Sequence, residues 1–140
     1  MPTILVLGAT SDIGVATARK FAQHKYDVHL AARDPAKLNT LRSDLSIRFN
    51  IQCSIHPFDA TDFNSHKAFY KSLLPAPDVA VCVFGYMNEN EITINNPDET
   101  LKTINTNYTG AVSVLNIIAS DYASRRQGTI VGISSVAGER

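Results

Sequence analysis

Short apolar runs alternate with longer stretches of helical periodicity along the whole of this 140-residue chain. Five of the runs are nearly continuous in apolar residues, which is typical of strands buried on both faces of a sheet. These predicted strands cover residues 3–7, 27–32, 51–58, 78–85 and 129–134. The stretches between them repeat apolar residues every three or four positions, which predicts amphipathic helices.

Local signals indicate where these helices begin and end. Asp34-Pro35 predicts an N-cap followed by proline at the first helical position, and Asn96-Pro97 predicts the same start for a long helix over residues 97–126. Gly128 is expected to end the long helix, and residues 86–95 are expected to be irregular. One face of the first helix is predicted to consist of Ile13, Ala16, Thr17, Phe21 and Ala22.

The alternation of strands and helices predicts a single α/β domain over residues 1–140. Crossovers of helical length imply parallel strands joined by right-handed connections. We therefore predict a doubly wound, Rossmann-like parallel sheet with strand order 3-2-1-4-5 and helices on both faces. Ligands of such sheets bind beyond the carboxyl ends of the strands, which are residues 8–14, 32–34, 58–60, 84–85 and 134–138.

Charge and composition narrow the range of partners. Thirteen Lys and Arg residues balance thirteen Asp and Glu residues, so neither a nucleic acid nor an anionic membrane surface is expected as a partner. No stretch approaches the roughly 20 apolar residues of a membrane-spanning helix. Cys53 and Cys82 both lie in apolar runs, which predicts free thiols in a reducing cytoplasm, with a disulfide as the alternative.

The sequence LGATSDIG joins the first strand to the first helix. Gly8 allows a sharp turn, and Gly14 lets the helix pack close to the sheet. Thr10, Ser11 and Asp12 can cap the helix, whose N-terminal amides and dipole would stabilise a diphosphate. A tight turn that binds nothing is the alternative.

This turn resembles the glycine motif Thr-Gly-x-x-x-Gly-x-Gly of the short-chain dehydrogenases/reductases. Leu7 replaces the threonine and Asp12 replaces the middle glycine. The resemblance implies that the cofactor contacts lie at Gly8, Thr10, Ser11, Asp12, Ile13 and Gly14.

The ends of the second and third strands continue the resemblance. In AARD, Ala32 occupies the place of the family's ribose-binding acid and Arg33 follows it, which implies NADP(H) rather than NAD(H) as the cofactor. In FDATD, Asp59 matches the aspartate that binds the adenine amino group, with the backbone of Ala60 beside it. The alternatives are a solvated Arg33 paired with Asp34, and an Asp59 that only forms a turn.

Three further motifs concern the cofactor and the chemistry. In CVFG, only Gly85 remains of the family's Asn-Asn-Ala-Gly. In TINTNYTG, Asn107 precedes Gly110 by three residues, where the resemblance implies an asparagine that holds a water in a proton relay. In ISSVAG, Ser135 matches the serine that hydrogen-bonds the substrate carbonyl and stabilises its developing negative charge. A buried, satisfied asparagine and a turn-forming serine are the alternatives.

The family's central Tyr-x-x-x-Lys pair is expected about a dozen residues beyond the serine, past Arg140. None of the five tyrosines has a lysine four residues later, and Tyr122, which has Arg126 there, is expected at the solvated end of the long helix. The resemblance therefore covers almost all of the chain, but only about the N-terminal half of a family domain.

The resemblance implies an NADP(H)-dependent oxidoreductase that transfers a hydride between nicotinamide and a small carbonyl or alcohol substrate. We expect the chain to be a fragment of this enzyme that lacks the Tyr-x-x-x-Lys segment and is inactive alone. The alternatives are a non-catalytic nucleotide-binding or regulatory module, and an epimerase or dehydratase of the related extended branch. Apolar surface on the helix over 97–126 and an unpaired edge on strand five would be exposed, so self-association is expected.

Overall fold

A computed structural model describes residues 1–135 as a parallel sheet flanked by helices. In chain order the elements are β1 Thr3–Leu7, α1 Asp12–Gln23, β2 Asp27–Ala32, α2 Asn39–Phe49, β3 Cys53–Pro57, α3 His66–Ser72, β4 Val79–Cys82, α4 Asn90–Ile94, α5 Pro97–Ile104, α6 Gly110–Arg125 and β5 Thr129–Gly132. Short 3-10 turns at Pro35–Leu38 and Phe63–Ser65 lead into α2 and α3.

The five strands lie in the order β3-β2-β1-β4-β5, all parallel, so the predicted fold class and strand order are confirmed. Leu5 of β1 is in register with His29 of β2 on one side and with Ala80 of β4 on the other. The strand order reverses at β1, and the connections from β1 and β4 therefore leave in opposite directions. A crevice forms at such a reversal, beyond the carboxyl ends of the strands.

Two apolar clusters cover the two faces of the sheet. Alternate residues of β1 separate them: Ile4 and Val6 face the cluster that includes α1 and α2, whereas Leu5 and Leu7 face the cluster that includes α3 and α6. All four of these side chains are fully buried. The central strands are thus covered on both sides, which accounts for their continuous apolar sequence.

Strands β3, β4 and β5 are shorter than the predicted ranges 51–58, 78–85 and 129–134. Ile51 and Phe58 are buried although they lie outside β3. At these two positions the apolar character of the sequence therefore indicates burial, not pairing in the sheet. The amide of Val83 still donates to the carbonyl of Leu7 beyond the end of β4, after which the chain leaves the sheet.

The predicted apolar face of α1 is only partly right, since Ala22 is buried but Ile13 and Ala16 are not. The buried residues of this helix are Gly14, Ala18 and Ala22, spaced four apart, whereas Ile13 is 53% exposed and Ala16 is exposed. A helix that lies close against a sheet selects small residues at the contact. The larger apolar side chains that dominated the sequence pattern are left toward the edge of that contact.

Two local expectations after β4 also need correction. Residues 86–95, expected to be irregular, include the short helix α4. The long helix expected over 97–126 is divided, because a π turn at Asn105–Thr109 separates α5 from α6. Its predicted start holds, since Asn96 caps α5 by accepting hydrogen bonds from the amides of Asp98 and Glu99 at 3.0 and 3.3 Å.

The end of α6 differs from the expected solvated helix end. The helix ends at Arg125, and Arg126, not Gly128, is the first left-handed residue, with φ 55°. Tyr122 is 7% exposed, and its hydroxyl donates to the carbonyl of Pro77 at 2.9 Å. Burial raises the pKa of Tyr122 to about 12, so this tyrosine is a structural group of the core.

Cys53 and Cys82 are free thiols. Burial raises the pKa of Cys53 to about 12 and that of Cys82 to about 11. Across the described residues 1–135, none of the helices has both the length and the apolar character needed to span a bilayer.

Candidate functional site

A cavity of about 610 Å³ lies at the carboxyl ends of the strands, at the reversal of strand order. It is lined by the turn after β1, the ends of β2 and β3, the segment after β4, and one residue each of α5 and of the π turn that follows it. The lining residues are Gly8, Thr10, Ser11, Ala32, Arg33, Phe58, Asp59, Ala60, Thr61, Val83, Phe84, Gly85, Tyr86, Lys102 and Thr106.

The first turn brings the backbone close to the cavity because Gly8 adopts a conformation that other residues avoid. Its φ is +93°, and a Cβ there would lie 2.6 Å from the amide nitrogen of Phe84. The Ser11 side chain then caps α1, donating to the carbonyl of Gly8 and accepting from the amide of Gly14, both at 3.0 Å. The turn therefore directs the N-terminus of α1 at the cavity.

Not every residue predicted in this turn lines the cavity. Asp12, Ile13 and Gly14 are absent from the lining, and the side chains of Asp12 and Ile13 are exposed. Their amides stand in the first turn of α1, where no intrahelical acceptor reaches them. Asp12 and Ile13 can thus offer backbone N–H groups to an anion, whereas Gly14 serves the packing of the turn, since a Cβ there would lie 2.5 Å from the carbonyl oxygen of Gly8.

The end of β2 places the guanidinium of Arg33 at the cavity, and the residue before it, Ala32, has no carboxylate. Ala32 is buried, Arg33 is exposed, and both line the cavity. The salt bridges within residues 1–135 do not include a pair of Arg33 with Asp34. Arg33 is thus positioned to meet an anionic ligand.

The segment after β3 holds its carboxylate in a fixed turn. Oδ1 of Asp59 accepts hydrogen bonds from the amide of Thr61 at 2.9 Å and from its hydroxyl at 2.8 Å. The bond from the Thr61 amide is the main cause that lowers the pKa of Asp59, and the charge of Arg33 lowers it further. Asp59 is thus an anion, and neither bond from Thr61 uses its Oδ2.

The cavity also contains residues that the sequence did not single out. Nζ of Lys102 lies 4.1 Å from the centroid of the Tyr86 ring, and the Tyr86 hydroxyl donates to Oε2 of Glu99 at 2.5 Å. Lys102 and Thr106 are four residues apart and both line the cavity. That spacing just before Asn107 is a signal that could have found them.

Asn107 lies beside the cavity without lining it. Its Nδ2 donates to the carbonyl of Tyr86 at 2.7 Å, and its Oδ1 accepts from the Tyr86 amide at 2.6 Å. These two bonds join the π turn to the segment after β4. Asn107 is exposed, so the alternative of a buried, satisfied asparagine is met in its hydrogen bonds but not in its burial.

Ser135 is exposed and is not among the cavity-lining residues. It is the final residue described, three positions beyond β5, whose end lies beside the end of β4. The rest of the turn predicted at 134–138 lies outside the described residues. The structure thus gathers seven of the ten positions predicted for the cofactor around one cavity and leaves Ser135 outside its lining.

The cavity fits the adenine-and-phosphate half of a dinucleotide. A tight glycine turn and a helix N-terminus suit a diphosphate, Arg33 suits a further phosphate, and Asp59 suits a base amino group. Among residues 1–135, no group of three or more His, Cys, Asp or Glu side chains could hold a metal ion.

The sequence model of the short chain dehydrogenases matches residues 2–140. An uncharacterized oxidoreductase of Streptomyces coelicolor is 36% identical over 141 residues, covering 99% of this chain and 56% of that protein. The chain spans about half the length of the curated relatives it matches.

Two solved structures share the fold over 99% of this chain. A short-chain dehydrogenase from Sphingobium yanoikuyae in complex with NADPH has a TM-score of 0.89 at 24% identity, with 55% of its chain covered. An NAD+-bound xylitol dehydrogenase has a TM-score of 0.90 at 22% identity, also with 55% covered. With the match of the family model over residues 2–140, the chain belongs to the short chain dehydrogenase family.

Proposed function

We propose that this chain is the cofactor-binding part of an NADP(H)-dependent oxidoreductase that acts on a small carbonyl or alcohol substrate. The observation that carries the proposal is Arg33, which lines the cavity at the end of β2 beside Ala32. A guanidinium can bind a 2′-phosphate through paired hydrogen bonds. A carboxylate at position 32, which would favour a free ribose hydroxyl, is absent from the sequence.

The fold alone supports both cofactors. The Sphingobium structure holds NADPH and the xylitol dehydrogenase structure holds NAD+, and both are similar to this chain at low sequence identity. The preference for NADP(H) therefore depends on Arg33 and on the missing acid, not on the overall shape.

The cofactor, when bound, supplies or accepts the hydride. Within this proposal Gly8 and the amides at the start of α1 hold the diphosphate, Arg33 holds the 2′-phosphate and Asp59 orients the adenine. Ser135 would donate a hydrogen bond to the substrate oxygen. Asn107 would act through its backbone, because its side chain is committed to Tyr86. The proton donor is not assigned to any residue of this chain.

A second candidate is a nucleotide-binding module that catalyses nothing. Two observations favour it: the side chain of Asn107 is committed to the backbone of Tyr86, and Ser135 lies outside the cavity lining. Both candidates predict cofactor binding, so they differ only in turnover. Reduction of a ketone by NADPH in a longer chain that includes Tyr-x-x-x-Lys after residue 140 would exclude the second candidate.

The two free thiols fit a reducing compartment such as the cytoplasm, which we propose as the location. Both have pKa values raised by burial, so their reactive thiolate forms are disfavoured at neutral pH.

Fluorescence titration of the 140-residue chain with NADPH and NADH tests the cofactor assignment. NADPH should bind the wild type more tightly, and Arg33→Ser should weaken NADPH by about 10- to 100-fold, the range expected for charge-assisted hydrogen bonds. NADH affinity should stay the same in this variant, because NADH has no 2′-phosphate.

Arg48→Ser is the matched control, since it removes one exposed guanidinium from α2 without touching the cavity. It breaks a surface pair with Asp44, and exposed pairs of this kind contribute little to stability. Equal affinities of the wild type for the two cofactors, or an equal loss in both variants, would contradict the assignment to Arg33.

A further inference from the structure

His66, the first residue of α3, is fully buried behind the cavity. Its Nε2 lies 2.9 Å from the carbonyl oxygen of Asp59, and its Nδ1 lies 2.7 Å from the hydroxyl of Ser113 on α6. Its ring stacks on Phe58, with centroids 4.9 Å apart and planes at 25°. One imidazole thus contacts the segment after β3 through both its face and its edge.

The partners of the ring fix its tautomer. A carbonyl oxygen only accepts hydrogen bonds, so Nε2 must carry the proton that is donated to Asp59. In the neutral ring Nδ1 is then the acceptor, and the hydroxyl of Ser113 donates to it. The hydrogen bonds therefore run in one direction, from α6 through His66 to the backbone of Asp59.

The backbone that His66 holds belongs to Asp59 and Ala60, and both residues form part of the cavity wall. The same segment also packs directly against α6, where a Cβ on Gly110 would collide with the carbonyl of Ala60. The Asp59 carboxylate is oriented within this segment by Thr61. The position of the carboxylate relative to the cavity thus depends on the hydrogen bond from His66 to the Asp59 carbonyl, which we call the anchor.

We propose that His66 is a positioning residue for the nucleotide, which fixes the Asp59–Ala60 wall at the distance that the adenine requires. The inference rests on the proposed function, because it assigns His66 to the affinity of that same site. Loss of the anchor lets the wall move, and the affinity for adenine-bearing ligands falls.

A second serine–histidine pair, which can serve as a control, lies in the sheet itself, on β2 and β3. His29 of β2 is 4% exposed, its Nε2 faces the carbonyl oxygen of Pro75 at 2.8 Å, and its Nδ1 lies 2.7 Å from the hydroxyl of Ser54. This second serine–histidine pair lies against a smaller cavity of about 220 Å³ that includes the first residues of β1 and β2. It repeats the serine and carbonyl contacts of the His66 pair, with His56 as an additional neighbour, and neither His29 nor Ser54 lines the nucleotide cavity.

His66→Phe and His29→Phe therefore form a matched experiment. Each keeps an aromatic ring and removes the bonds to one serine and one carbonyl, and His29→Phe also removes the 3.1 Å contact of Nδ1 with Nε2 of His56. We expect similar falls in melting temperature, but only His66→Phe should raise the dissociation constants of NADPH and of adenosine 2′,5′-bisphosphate, each by about five- to tenfold, or about 1–1.4 kcal/mol. Affinities are measured by calorimetry well below both melting temperatures.

If His66→Phe does not fold, Ser113→Ala and Ser54→Ala test the same role of His66. Each removes one hydroxyl from an intact histidine, and Ser113→Ala alone should weaken both ligands, by about two- to fivefold.

Three results would overturn the inference. If the His66 and Ser113 variants lose no more affinity for NADPH than the His29 and Ser54 variants, His66 contributes only to stability. If NADPH weakens while adenosine 2′,5′-bisphosphate does not, the effect does not pass through the adenine wall. If the wild type binds neither ligand, the proposed function itself fails and the inference with it.

Discussion

Gly8 combines a backbone conformation and a close contact that no other residue type satisfies. Its φ is +93°, and its Cα lies so near the chain after β4 that a Cβ would collide with the amide of Phe84. We expect Gly8→Ala to cost about 1–3 kcal/mol of unfolding free energy through strain and displacement. It should also abolish measurable NADPH binding, because the turn that carries the amides of α1 is moved.

Gly132→Ala is the control for this substitution. Gly132 ends β5, and a Cβ there meets no atom of the described residues 1–135 within 4 Å. Chemical denaturation and NADPH titration of the two variants should give a large effect at position 8 and almost none at position 132. A Gly8→Ala variant that binds NADPH as the wild type does would show that the turn is not part of the site.

Single residues of the site could be predicted where a glycine turn or a short sequence motif at a strand end pointed to them. Gly8, Arg33 and Asp59 follow strand ends in the sequence, and all three line the cavity. Tyr86 and Lys102 were not predicted, because they are 16 positions apart and meet only when α5 packs beside the end of β4. His66 was missed for the same reason: its acceptor and its donor lie on different elements.

At the scale of elements, the pairing of β2 with β3 brings together a buried histidine, His29, and a half-buried one, His56. Nδ1 of His29 lies 3.1 Å from Nε2 of His56, and the Ser54 hydroxyl lies within 2.9 Å of both rings. Burial is the main cause that lowers the pKa of both histidines, and the charge of His29 lowers that of His56 further. The bond to Pro75 and the charge of Asp27 oppose the shift at His29.

The sign of the pH dependence follows from these shifts. Below the ordinary histidine pKa of about 6.5 the unfolded chain takes up protons that the folded chain resists, so stability falls as the pH drops. The loss continues until the lowered pKa of the folded state is reached. We expect urea denaturation to show a lower unfolding free energy at pH 5 than at pH 7 for the wild type.

His29→Phe should reduce this difference between pH 5 and pH 7, because it removes one titrating ring and the charge that acts on His56. The lowered pKa values of Asp44, Asp59 and Glu99 act in a separate, more acidic range. An equal pH dependence in the wild type and in His29→Phe would show that these two histidines do not govern stability in this range.

Elements were predictable to the extent that their signals are local. The Asn96-Pro97 start of α5 was predicted because cap and proline are adjacent in the chain, and the cap bonds are present. The buried face of α1 was predicted only at Ala22, since Gly14 and Ala18 are buried by the approach of the sheet and not by their own hydrophobicity. The π turn at Asn105–Thr109 was also missed; it coincides with the two bonds between Asn107 and Tyr86, which are distant in sequence.

At the scale of the whole molecule, burial is uneven across the sheet. The strands at its centre are covered on both faces, whereas all four residues of β5 are exposed. Apolar side chains on the neighbouring helices are exposed as well, with Leu101 at 55% and Val112 at 51%. An unpaired strand edge beside an apolar helix surface favours association with another chain.

We therefore expect the 140-residue chain to self-associate, with a weight-average mass that rises with concentration in analytical ultracentrifugation. Val112→Lys tests the helix surface and Ile130→Lys tests the β5 edge. Whichever surface carries the contact should lose association by at least about tenfold, because an interface would then bury an unpaired charge. Ile47→Lys is the control, since Ile47 is 84% exposed on α2, on the other side of the sheet from α6. A wild-type chain that stays monomeric at every concentration would contradict the expectation, and equal effects of all three lysines would show that net charge, not either surface, controls the association.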